Sequence, residues 1–248
     1  MLLGIGALLA GFIDAVAGGG GLIQVPALFT ALPQQSAATL FGTNKLSSIF
    51  GTGSAAWRFS RRIDIPWRIT RLAAMAAVVF SFAGAAVVAW LPRDVIRPMV
   101  FILLVLVIVY TLVRPEFGQA SKRGIGPERE RCAALLLGAS LGFYDGFFGP
   151  GTGSFLIFLL VRFFGLDFLR ASGVAKVVNL TTNAAALAFF IPHGQVLWLV
   201  GGVMAVANIA GAQVGARLAI RHGSSFVRWI FLLSAGLLLI KFGLDTFA

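Results

Sequence analysis

The chain has 248 residues, 58% of them hydrophobic and 12% charged, with a formal net charge of +11 and a mean hydropathy of +0.93. Apolar runs long enough to span a bilayer recur along it, which excludes a soluble domain and marks a polytopic membrane protein. Of the 20 cationic residues 16 are Arg, most in short connections between apolar runs, a pattern that orients a membrane protein and argues against nucleic-acid binding.

The first apolar segment runs from Leu2 to Leu32, is interrupted by Gly18 to Gly21 and is closed by Pro33. As one helix it would reach about 46 Å at 1.5 Å per residue, beyond the roughly 30 Å hydrocarbon core, so a hairpin of two shorter helices is expected. No basic region precedes it, so it reads as a retained helix and not a cleaved signal. A helix from Ala37 to Phe59 follows and ends in the basic loop Arg58 to Arg71. Next come a span from Ile69 to Trp90, stopped at Leu91 and Pro92, and an apolar segment from Met99 to Val113. The long polar stretch Arg114 to Arg131 carries Lys122, Arg123, Glu128, Arg129 and Glu130 and separates 1–113 from 132–248. The second half repeats the order: a glycine-broken segment from Cys132 to Phe164, a helix from Ala171 to Phe190, and spans from Val196 to Ala216 and Phe226 to Phe247.

The halves are related in detail. Residues 11–59 and 142–190 share ten identities in 49 ungapped positions, among them four glycines, Asp14 opposite Asp145 and Lys45 opposite Lys176. Gly18 and Gly20 fall on Gly149 and Gly151; further on, Ala83 to Ala85 match Ala210 to Ala212 and Arg97 matches Arg228. The fold expected is an all-α integral membrane protein of two homologous halves, each a glycine-broken hairpin followed by three transmembrane helices. Charge decides their relation. The loop Arg58 to Arg71 and the linker are the arginine- and lysine-rich connections and belong on the cytoplasmic side. An even number of crossings in each hairpin also puts Arg162, Arg170, Arg217, Arg221 and Arg228 inside and the neutral link Pro192 to Gln195 outside. That arrangement makes the halves inverted repeats with both termini outside, and leaves Arg93 and Arg97 on the outer face. The hairpins either cross fully or dip in and return.

Polar groups inside hydrocarbon are costly and mark function by default. Lys45, Ser48 and Thr52 share one helical face, and Lys176, Asn179 and Asn183 share the matching face of the equivalent helix, with Ser172 a turn earlier. One cation with several neutral donors, repeated symmetrically, suits a small oxyanion. The breaks at Gly20, Gly21, Gly151 and Thr152 add backbone N–H groups and the positive ends of helices restarting at Leu22 and Phe155. Asp14 and Asp145 either carry a coupling proton or neutralise the lysines of an empty site. The competing reading is structural, with Asp14–Lys45 and Asp145–Lys176 as ion pairs that hold helices together. Gly11, Gly51, Gly53 and Gly84 read as packing residues, and Gly201, Gly202, Ala205, Gly211 and Gly215 permit internal packing or a homodimer. Trp57, Trp67, Trp90, Trp198 and Trp229 read as interfacial anchors. Cys132 reads as a packed helix residue, and His193 and His222 as surface residues. With no catalytic constellation, no metal-ligand pattern and no Walker-type loop, neither an enzyme nor a cofactor is expected.

The stretches GFIDAVAGGGGLIQVPAL with FGTNK, and GFYDGFFGPGTGSF with SGVAK, resemble the paired motifs of the TauE/SafE family of sulfite exporters, also called the toluene sulfonate uptake permease family. That resemblance implies a bacterial inner-membrane carrier of sulfite, sulfonates or related anions, with the bilayer, a small anion and a coupling proton or sodium ion as its partners. The alternatives are an anion channel and a membrane subunit that binds a sulfur species for a partner enzyme.

Overall fold

A computed structural model describes residues 2–91 and 127–247, with the single positions Val95 and Ile102 between them. The expected segment Met99 to Val113 (Ile102 apart), the connection around Arg93 and Arg97, and most of the polar linker lie outside the described residues. Among the described residues the chain is all-helical: α1 Leu2–Ala17, α2 Gly21–Ala31, α3 Ala37–Ser60, α4 Trp67–Trp90, α5 Pro127–Phe147, α6 Thr152–Phe164, α7 Phe168–Phe190 and α8 Trp198–Phe247. Helix α5 starts inside the stretch read as linker, with Pro127 at its first position and Glu128 and Glu130 in its first turn, both favoured there. Helix α8 holds the two expected spans, parted at Gly223, whose φ of 73° and ψ of −166° break the helix.

Helices α3 and α7 form the centre and start with matching caps. Ser36 accepts the Thr39 N–H at 3.1 Å, and Asp167, its counterpart, accepts those of Leu169 and Arg170 at 2.9 and 3.0 Å. The two helices run antiparallel: Gly42 lies against Phe190 and Gln195, Gly53 against Leu180, and Phe59 against Gly173. Helices α4, α7 and α8 are apolar and long enough to cross a membrane, α8 over Trp198–Val227. At 24 residues α3 reaches about 36 Å, but its polar stripe lowers its hydropathy and is turned inward, with Thr43, Asn44, Lys45, Ser47 and Thr52 all buried. Outside this pair, α4 exposes Met75, Val79 and Phe80, and α8 exposes Leu199, Val203 and Val206, an apolar perimeter suited to lipid.

Each outer helix packs on the opposite half. Helix α8 lies along α1, with Gly11 against Asn208 and Gly211 and Gly215 against the α1 backbone; α4 lies along α5, with Gly138, Gly142 and Gly146 seated on Ala73, Ala77 and Ser81. The small residues of α8 therefore serve packing within the chain at Gly201, Gly211 and Gly215.

Each glycine-broken segment folds back on itself. Ala7 of α1 and Leu28 of α2 both join a cluster with Leu40 near the start of α3, whereas Asp14 reaches Thr52 and Gln24 reaches Ser47 farther along it. Helix α1 thus runs alongside α3 and α2 runs back. In the other half, α5 parallels α4, and α4 parallels α7, with Ile65 beside Gly173 and Ser81 beside Thr182. Helix α6 ends where α7 begins, so it returns to the end of the bundle at which α5 starts. The two hairpins start from opposite ends of the bundle, and their tips meet. Gly18 and Gly149 hold φ of 81° and 93°, a region closed to most L side chains. The Gly18 backbone lies directly on that of Gly153, leaving no room for a Cβ, and Ser154 donates from its N–H to the Gly18 carbonyl at 3.2 Å and from its hydroxyl to the Ala17 carbonyl at 2.9 Å.

Arginines collect at one end of the bundle. Arg170 bonds Asp64 of the α3–α4 loop at 3.2 Å, and Ser224, beside the α8 kink, donates to Asp167 at 3.2 Å. Arg58 donates to Gln213 of α8. Arg61, stacked over Trp57 at 5.3 Å, and Arg62, Arg68, Arg71, Arg162, Arg217 and Arg221 belong to the same end by sequence position. The connection after α7 lies at the other end, where Leu197 donates to Thr43 at 3.0 Å, and it contains no Lys or Arg. Exposed Trp57 and Trp67 sit at the arginine end and exposed Trp90 and Trp198 at the other, two girdles of the kind that mark membrane interfaces.

Candidate functional site

The hairpin tips press into the α3–α7 centre at the two lysines. Lys45 Nζ lies 2.6 Å from Asp145 Oδ2, with both side chains almost fully buried. Lys176 Nζ lies 3.3 Å from Asp14 Oδ2 and also donates to the Asp14 backbone carbonyl; its side chain is 0% exposed and that of Asp14 19%. The pairing corrects the one read from sequence. Asp14 does not pair with Lys45 of its own half, nor Asp145 with Lys176; each aspartate bridges to the opposite half. The cause is the placement of the tips. Each aspartate sits one turn before its glycine break, and each break lies against the other half's central helix, so that the Lys45 ammonium rests over Gly149.

The remaining expected residues divide. Thr52 donates to Asp14 Oδ2 at 3.3 Å and so joins the Lys176 pair, while Ser48 donates to Gln24 Oε1 at 3.3 Å. Asn179 and Asn183 are buried on α7; the Asn179 amide nitrogen faces Gly153 at the start of α6, and its Oδ1 has no donor among the described residues. Ser172 donates to the Val16 carbonyl at 3.4 Å. The glycine-break residues serve the hairpins themselves. Gly20 fits between the Ala10 carbonyl and the Asp14 Cβ, Gly21 lies on Pro150, Gly151 takes the left-handed conformation ahead of α6, and the Thr152 hydroxyl turns back to the Gly149 carbonyl at 2.8 Å.

Gln24 and Asn208 are among the buried polar residues that escaped the sequence reading. Gln24, 1% exposed, spans Ser47 and Ser48, donating to Ser47 Oγ at 3.2 Å. It is a lone polar side chain in an apolar run, the same signal that singled out Asp14, but its repeat counterpart is Phe155 and the symmetry hid it. Asn208 of α8, also buried, donates to the Ala7 carbonyl at 3.3 Å and fixes α8 on the first hairpin. His193 and His222 each bond the carbonyl four residues back, those of Phe189 and Leu218, and Cys132 is exposed, not packed. Among the described residues no group of three or more His, Cys, Asp or Glu side chains gathers to hold a metal ion.

Two buried lysine–aspartate pairs thus cross the centre, each joining the central helix of one half to the hairpin of the other. Ion pairs buried in this way add little net stability because desolvation offsets most of the attraction, whereas leaving one member without its partner is costly. Residues 3–242 match the family model described as sulfite exporter TauE/SafE. The chain belongs to the TauE/SafE family. Relatives of this TauE/SafE chain include the probable membrane transporter protein YfcA of Escherichia coli K12, 36% identical over 243 residues that make up 97% of this chain and 88% of that protein. The probable membrane transporter protein ORF9 of a Sinorhizobium species is 35% identical, covering 90% of this chain and 84% of its own length. A probable membrane transporter protein of Haemophilus influenzae is 37% identical, with 88% and 84% covered. No solved structure matches. This TauE/SafE protein is accordingly a membrane transporter and not an enzyme.

Proposed function

We propose that the protein is a secondary transporter that carries a small anion, a sulfur-containing oxyanion or organosulfonate of the sulfite kind, across the bacterial inner membrane by alternating access. The observation that carries this reading is the pair of buried lysines, one on each central helix, each neutralised by a carboxylate on the tip-bearing helix of the other half. An anion that replaces those carboxylates finds two ammonium groups, with Ser48, Thr52, Asn179 and Asn183 as neutral donors and the N–H groups around Gly20, Gly21, Gly151 and Thr152 near by. Asp14 and Asp145 serve as counter-charges while the site is empty. The antiparallel course of α3 and α7, and hairpins starting from opposite ends of the bundle, support inverted repeats in which opening one face closes the other. The arginine-bearing end is the cytoplasmic one, which leaves both termini outside. The sulfur assignment rests on the family's description as sulfite exporters.

The test is uptake of labelled sulfite into liposomes holding the purified chain, with thiosulfate, sulfate and a simple sulfonate as competitors. Saturable, competed flux is expected. No flux of any of these anions would remove the assignment, and single-protein conductance would replace the carrier with a channel.

A further inference from the structure

The four charges at the centre sum to zero, and that balance constrains what crosses with the anion. Each lysine has one carboxylate, held from the opposite half at 2.6 and 3.3 Å. Among the described residues neither pair has a further ion-pair partner, and Tyr144, the neighbour of Asp145 on α5, is a partly buried titratable group whose hydroxyl donates to the Pro150 carbonyl at 2.7 Å. Arg58, Arg68, Arg71, Arg162, Arg170, Arg217 and Arg221, with Glu128, Arg129, Glu130 and Arg131 at the start of α5, lie at the arginine end, and α2 carries no charge. An anion that takes a carboxylate's place on its lysine leaves that carboxylate buried and unpaired, an arrangement proteins avoid by protonation.

Building on the transporter reading, we infer that the pairs act as exchangers: the anion displaces each carboxylate from its lysine while that carboxylate takes up a proton from the entry side. Anion and protons then cross together without net charge. The balance is explicit. A dianion on Lys45 and Lys176 meets two positive charges, Asp14 and Asp145 become neutral acids, and two protons leave the entry-side water. On the far side the anion departs, each carboxylate releases its proton and regains its lysine. Coupling follows from the cross-repeat geometry, because a carboxylate can reclaim its ammonium only when the opposite half's hairpin is docked.

The experiment uses the full chain in liposomes with a trapped pH dye, potassium and valinomycin to set the potential, and labelled thiosulfate, or whichever of sulfate or sulfite the uptake panel shows to be carried. One proton per negative charge is expected. With thiosulfate, a gradient of one pH unit drives about 100-fold accumulation, tenfold per coupled proton. Imposing 100 mV leaves that ratio unchanged, whereas each uncompensated charge would shift it about 50-fold. Asp145→Asn removes one proton from the cycle, so pH-driven accumulation falls to about tenfold and 100 mV now shifts it about 50-fold. Flux without internal acidification, or wild-type accumulation that follows the potential, overturns the exchange while leaving the transporter intact. Absence of flux for every anion in the panel overturns the transporter reading itself. The wild-type measurements stand alone if the variant fails to fold.

Discussion

Removing one carboxylate should destabilise the two sites unequally. In Asp145→Asn, Lys45 stays buried but loses its counter-charge, and its one side-chain acceptor among the described residues becomes a neutral amide oxygen; in Asp14→Asn, Lys176 also keeps the Asp14 backbone carbonyl. Orphaning one member of a buried pair costs about 3–5 kcal/mol. Asp145→Asn belongs at the upper end of that range and Asp14→Asn at or below the lower. For a chain of this size the midpoint falls roughly 2–4 °C per kcal/mol, so a drop on the order of 10 °C or more is expected for Asp145→Asn and a visibly smaller one for Asp14→Asn. Adding Lys45→Met to Asp145→Asn removes the orphaned charge and should restore most of the loss. The assay is thermal unfolding in detergent followed by tryptophan fluorescence, with size-exclusion chromatography to confirm folded protein at the start. Equal shifts for the two aspartate variants, or a double variant as unstable as Asp145→Asn alone, would refute the view that each lysine depends on the opposite half's carboxylate.

Other outcomes follow from the same geometry. Lys45→Ala and Lys176→Ala should each abolish uptake while leaving membrane insertion intact, and Lys176→Arg should not rescue it, because a planar fork does not fit a site built around a compact ammonium. Normal transport in both alanine variants would sink the binding assignment. Gly18→Ala forces a side chain into a left-handed position against Gly153 and should cost at least about 1–2 kcal/mol in thermal unfolding, whereas Gly202→Ala, where a methyl meets open space, should stay within about 0.5 kcal/mol. Asp167→Ala should destabilise more than the equivalent Ser36→Ala, each by about 1 kcal/mol or more, because Asp167 caps α7 at two N–H groups and also accepts from Ser224. In a Cys132→Ser background, cysteines at Arg61 and Arg221 should react with an impermeant thiol reagent from the cytoplasmic side and a cysteine at Gly194 from the other; labelling of all three from one side would overturn the topology.

Much of the fold was legible because the membrane restricts the solutions. A largely apolar segment of 31 residues with four consecutive glycines inside it cannot be one spanning helix, and the structure divides it at those glycines into α1 and α2. Elements of the duplication were equally open, since Ser36 and Asp167, Gly18 and Gly149, and Lys45 and Lys176 fall at one constant spacing and take matching structural positions. Gln24 was not, because the comparison that exposed the lysines searches for what the halves share, and Gln24 stands opposite Phe155. The small residues of α8 were ambiguous for another reason: a glycine face reports close approach without naming the neighbour, here α1.

Which charges exist inside the bilayer, and on which helix faces, follows from residue order alone, because helical periodicity and the cost of burying charge are local rules. Which carboxylate answers which lysine does not. Asp14 is nearer Lys45 in sequence, and the half-by-half reading pairs them, but each hairpin tip is driven by glycine-to-glycine contact across the centre and delivers its aspartate to the other half. Only the tertiary packing decides that exchange, because it depends on where two backbones can touch.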